Sequence, residues 1–171
     1  MTRSAYTLIV FATLAAWASA QPTPRADDRL RLLQVNQSLL EDLLEHGLKL
    51  SQTGNKLDQA DECRNAMTTL GRVLTNVTSD PSADPDRIAE LSDQLSELVT
   101  DGLAPTLAEV RDRVKSGSPD GPRLSKIEKQ AATDLQTIQS ALPTDGRLGQ
   151  STKVQASQKK LSEARKLIEG K

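Results

Sequence analysis

The chain has 171 residues with 22 basic against 23 acidic side chains and one cysteine, and its three aromatic residues, Tyr6, Phe11 and Trp17, all fall within the first 20 positions. Beyond position 20 there is no aromatic platform to stack on bases or sugars, and 21 basic against 23 acidic residues form neither a nucleic-acid surface nor a polybasic membrane patch. A lone Cys63 excludes an intramolecular disulfide.

The N-terminus reads as a secretory signal peptide over 1–20: a basic residue at Arg3, an apolar stretch from Ala5 to Ala18, and Ala18-Ser19-Ala20 ahead of Gln21-Pro22-Thr23-Pro24. The apolar stretch is shorter than the roughly 20 residues that span a bilayer, so cleavage after Ala20 is expected rather than retention as an anchor. No cysteine follows it to carry a lipid. After a short tail, 21–26, the remainder is expected to form one domain over 27–171 with no membrane span. Leu, Ile and Val make up 34 of the 151 residues after position 20, just above the roughly 20% below which highly charged chains stay disordered. A fold with a thin core follows.

Asp27 and Asp28 are placed to cap a first helix running to about Gln52, with Leu32, Leu39, Leu43 and Leu50 on one face at spacings of seven, four and seven. Thr53-Gly54-Asn55 supplies the turn. The second helix, Lys56 to Val77, carries Ala60, Cys63, Met67, Leu70, Leu74 and Val77 in a strict alternation of three and four, a coiled-coil-like seam. Together 27–78 predict a helical hairpin whose helices lie side by side, with the seam facing the first helix.

Asp84-Pro85 places a capping carboxylate before a proline at the first helical position, which predicts a helix over 84–115 with Ile88, Leu91, Leu95 and Leu98 as its stripe. Asp101-Gly102-Leu103-Ala104-Pro105 predicts a kink or break near Gly102 to Pro105, after which Leu107, Val110 and Val114 resume the pattern. Ser116 to Pro122 is rich in Gly, Ser and Pro and reads as a linker. A helix over 122–142 follows, with Ser125 and Glu128 at capping-box spacing and an apolar stripe of Leu124, Ile127, Ala131, Leu135 and Ile138. The last helix, 150–170, has the weaker stripe Val154, Leu161, Ala164 and Ile168, and its Lys- and Gln-rich face leaves it able to fray or dock loosely. No strand pattern occurs. The expectation is an all-α antiparallel bundle of about four to five amphipathic helices.

The residues that carry chemistry are few. Asp42 and His46 stand one turn apart and are the candidate metal ligands, but a site needs three or four donors and no second His or neighbouring Cys is offered. An exposed helical histidine beside acidic residues is the simpler reading, and no metal or cofactor is expected. Asp61 and Glu62 precede Cys63, the opposite of the electropositive setting that activates a thiol, so Cys63 reads as a small core side chain rather than a nucleophile. Asp80, Asp84 and Asp86 do not follow calcium-loop spacing. Asn36-Gln37-Ser38 and Asn76-Val77-Thr78 match a glycosylation sequon inside predicted helix and receive no role. No phosphate loop, nucleophile elbow or zinc-protease motif is present, so no enzymatic activity is expected. The sequence points to an exported, periplasmic or secreted, non-enzymatic helical interaction module with a protein partner, a monomer by slight preference. The alternative is a helical-bundle carrier or sensor for a small apolar ligand or a metal ion.

Overall fold

The computed structural model describes residues 26–114 and 118–169, with side chains from Gln37 onward. The expected signal peptide, its cleavage point, the capping side chains of Asp27 and Asp28, and the middle of the linker at 115–117 lie outside the described residues. The chain divides into Met1–Gln37, of which the described part is helical backbone from Ala26, and Ser38–Lys171, which holds the hydrophobic core.

In chain order the elements are α1 (Ala26–Gln52), α2 (Lys56–Thr78), α3 (Pro85–Glu97), a π-helical turn (Leu98–Leu103), α4 (Ala104–Arg113), α5 (Asp120–Ala141), the single turn α6 (Gly146–Gly149) and α7 (Thr152–Glu169). The described residues are all-helical, with no strand. Local signals set most of the boundaries. Asn55 caps α2 through Oδ1, which accepts from the Leu57 N–H at 2.9 Å. Asp84 caps α3 by accepting from the Asp86 N–H at 3.0 Å, with Pro85 in the first turn where its missing N–H leaves nothing unbonded.

One boundary differs from expectation, and one interruption takes a specific form. At Gly102 to Pro105, where a kink or break was expected, α3 passes through the π turn directly into α4, and the Ala104 N–H reaches five residues back to the Val99 carbonyl. Leu91, Leu95, Val99, Leu103 and Leu107 are all buried at a strict spacing of four. An α-helix of 3.6 residues per turn would rotate such a row steadily away from the core, and one wider turn restores it. That turn also makes room for Pro105, whose ring in a regular helix would crowd the carbonyl of the turn before. Helix α5 begins at Asp120, so Ser125 lies inside it and caps nothing; Glu128 instead accepts from Arg111 on α4 at 2.6 Å.

Within Ser38–Lys171, α2 packs on α3, the π turn, α4 and α5, while α7 packs on α3 and α5. The seam is internal: Ala60, Cys63, Met67, Leu70 and Leu74 are buried and Val77 packs at its edge. Gly71 lies against Ile138 of α5, and Cys63 lies beside Gly102 of the π turn. The last helix is docked along its length through buried Val154, Ser157, Leu161, Ala164 and Ile168. Lys153 and Lys160, seven residues apart, reach Asp86 and Asp93 on α3 at 2.6 and 2.8 Å. Exposed pairs of this kind add only about 0.2–1 kcal/mol each, so the apolar stripe carries the docking.

Candidate functional site

The part of α1 from Ser38 to Gln52 carries leucines on two faces. Leu39 is buried, and Leu43 and Leu50 pack against the core. Leu40, Leu44 and Leu48 do not; they are 37, 49 and 61% exposed. Among the described residues the one other large apolar side chain so exposed is Leu167 on α7. The cause is the pair of doublets Leu39-Leu40 and Leu43-Leu44. Neighbours on a helix point about 100° apart, so when the first of each doublet turns inward the second is left on an adjacent face.

The second member of this region is an open groove of about 470 Å³ between α1 and α2, lined by Asp42, Glu45, His46, Arg64, Asn65, Thr68, Thr69 and Arg72. His46 spans it. Its Nδ1 lies 2.6 Å from Glu62 Oε1 and its Nε2 3.3 Å from Thr69 Oγ1, both on α2. A carboxylate only accepts, so Nδ1 carries the hydrogen toward Glu62. His46 is therefore a partly buried tie between the helices and not the exposed residue read from sequence. Its neighbour Asp42 lines the same groove, but His46 is held by Glu62, and the two ring nitrogens are already engaged. Among the described residues no group of three or more His, Cys, Asp and Glu side chains is arranged to hold a metal ion.

Arg64 closes the other bank. It donates to Asp61 and to Asp134 of α5 at 3.3 Å each, and to Asn65 at 3.0 Å. Thr68 donates to the Arg64 carbonyl at 3.0 Å and lies 3.4 Å from Asp134, so this network fixes α2 against α5. On the outer surface of α1, Lys49 pairs with Glu45 at 2.6 Å, and the hydrogen bond and charge of that lysine hold the Glu45 carboxyl below its ordinary range. The groove is polar and open to water, an arrangement suited to holding helices together and unsuited to enclosing an apolar ligand.

Cys63 is buried, and burial with the nearby Glu62 charge pushes its thiol up to about 11. The reactive thiolate is then about a hundredfold scarcer at neutral pH than for an ordinary cysteine. Native protein is expected to label with a thiol reagent at least that much more slowly than unfolded protein, and Cys63→Ser to lose about 1 kcal/mol by placing a hydroxyl in an apolar site. Rapid native labelling with a disulfide-linked dimer on a non-reducing gel would contradict the enclosed position.

Comparison of the chain with known protein families, with curated proteins and with solved structures returned no match. Among the described residues no helix is long and apolar enough to cross a membrane. Any functional reading rests on the side chains themselves. Sequence reasoning singled out the seam and the Asp42/His46 pair but missed the Leu40, Leu44 and Leu48 row, although the leucine doublets were its visible signal.

Proposed function

We propose that this chain is an exported, non-enzymatic helical interaction module, an adaptor, scaffold or regulator of another exported protein, built as an antiparallel helical bundle with α1 as its contact element. The observation that supports this reading is the exposed leucine row. The stripes of α2 through α7 are taken up by the core, whereas Leu40, Leu44 and Leu48 form a continuous apolar row in water. Rows of this kind are the anchors through which one helix seats against another chain.

The test is site-specific photo-crosslinking in the native organism. A benzophenone side chain at position 44 is expected to give one discrete, reproducible adduct, and the same group at exposed position 133 on α5 is expected to give none. Equal patterns at the two positions, or no adduct at 44, would remove the interaction reading. The same preparation reports export: the isolated protein should begin at Gln21, and retention of Met1 would overturn secretion with cleavage.

A further inference from the structure

We infer that Asn76 is an N-glycosylation site that takes an oligosaccharide from a lipid pyrophosphate donor during export, an inference that rests on reading the chain as exported. Asn76-Val77-Thr78 supplies the acceptor asparagine, a middle residue other than proline, and the hydroxyl two positions on that the sequon requires. In the reaction Nδ2 of Asn76 attacks C1 of the first sugar, the C1–O bond to the pyrophosphate breaks, and the lipid pyrophosphate leaves with the electron pair. Nδ2 gives up one proton and keeps the other, so the product is a neutral secondary amide.

The folded helix is not the substrate. Asn76 and Thr78 lie in the last turn of α2, where residues two apart point about 200° from each other, so the amide and the hydroxyl face different sides. The Thr78 hydroxyl is also turned onto its own helix and donates to the Thr75 carbonyl at 2.9 Å. Transfer therefore has to precede folding of this turn, and the order of the chain provides that interval. Helix α2 packs on α3, the π turn, α4 and α5, all of which follow Asn76 in the sequence. A helix in a protein draws most of its stability from the packing of its apolar face. When Asn76 first crosses the membrane these partners are still to cross, and the sequon is free to extend.

The folded structure has room for the product. Asn76 is exposed, and so is the connection that follows it from Ser79 to Ser82, so the sugar projects into water at the end of α2. The other asparagines with described side chains are used differently. Asn55 caps α2, Asn65 accepts from Arg64, and neither Asn55-Lys56-Leu57 nor Asn65-Ala66-Met67 carries the required hydroxyl. A glycan at Asn76 adds bulky hydrated surface to a protein whose core is thin.

The test is mass spectrometry of the protein recovered from its native organism. Trypsin releases Val73–Arg87, which holds Asn76 and no other asparagine. This peptide is expected to carry an oligosaccharide, and peptide N-glycosidase in heavy-oxygen water is expected to remove it and convert Asn76 to a labelled aspartate. Asn76→Gln and Thr78→Ala should both lose the glycan, and Thr78→Ser should retain it. Because Asn76 is exposed, Asn76→Gln should melt at the temperature of the enzymatically deglycosylated protein. A bare Val73–Arg87 peptide from protein that begins at Gln21 overturns the glycosylation and leaves export standing. A bare peptide from protein that retains Met1 overturns both. A glycan confined to Asn36, in the other sequon, also overturns the assignment to Asn76.

Discussion

Leu103→Ala is expected to lower the unfolding free energy by about 3 kcal/mol, within the range of about 2–5 kcal/mol for a buried leucine. Leu103 is 0% exposed and ends the π turn, with Val99 one turn before it and Leu107 one turn after, both enclosed. Shortening it removes apolar contacts and leaves a cavity. The two helices from elsewhere in the chain that pack on the π turn are α2 and α7, both held in place by their own buried stripes. Domains of this kind are stable by only about 5–15 kcal/mol, so the change is a large share of the total. Urea unfolding should show the midpoint falling with an unchanged slope. A loss under about 1 kcal/mol would mean that the π turn relaxes into the vacated space.

Gly71 and Gly102, both within helices, should respond to alanine with opposite signs. A Cβ on Gly71 would lie 2.2 Å from Ile138 Cδ1 and 2.7 Å from Cγ1, so α2 and α5 would have to separate or Ile138 would have to leave its rotamer. Overpacking costs about 1–3 kcal/mol and the gain in helix propensity returns about 1, leaving a net loss of about 1–2 kcal/mol. A Cβ on Gly102 would meet Leu98 Cδ1 at 3.6 Å and Cys63 Sγ at 3.8 Å, ordinary contacts. Gly102→Ala should therefore be neutral or gain up to about 1 kcal/mol. Pairing Gly71→Ala with Ile138→Val should cost less than the two changes summed, because the valine lacks the clashing Cδ1. Additive losses in that cycle would show that the two side chains do not meet.

The glycine pair also shows how context decides what a residue type means. Gly102 has the composition of a helix C-cap, yet the one positive-φ glycine among the described residues is Gly146, at φ 69°. Gly102 stays helical because the buried row at 91, 95, 99, 103 and 107 continues through it. Gly102 and Pro105 mark locally where a kink or break falls, while the spacing of four is what a wider turn accommodates. Ser125 and Glu128 illustrate the same point. Capping-box spacing is local, while α5 starts at Asp120 because helix continues upstream of the box.

The sequence by itself determined what local forces control. Absence of strand patterning, the turn at Thr53 to Asn55, the cap at Asp84 and the seam from Ala60 to Val77 follow from hydrogen-bonding valence and periodicity within one or two turns. Tertiary structure decided what depends on residues far apart in the chain. It selected which leucine of each α1 doublet is covered and set Cys63 of the α2 seam beside Gly102. It also gave His46 a partner in Glu62, 16 positions away, although Asp42 stood one turn from it in sequence. Periodicity states that a face is apolar; only the packing of the other helices states whether that face is filled. For α1 two faces were available and the core had room for one.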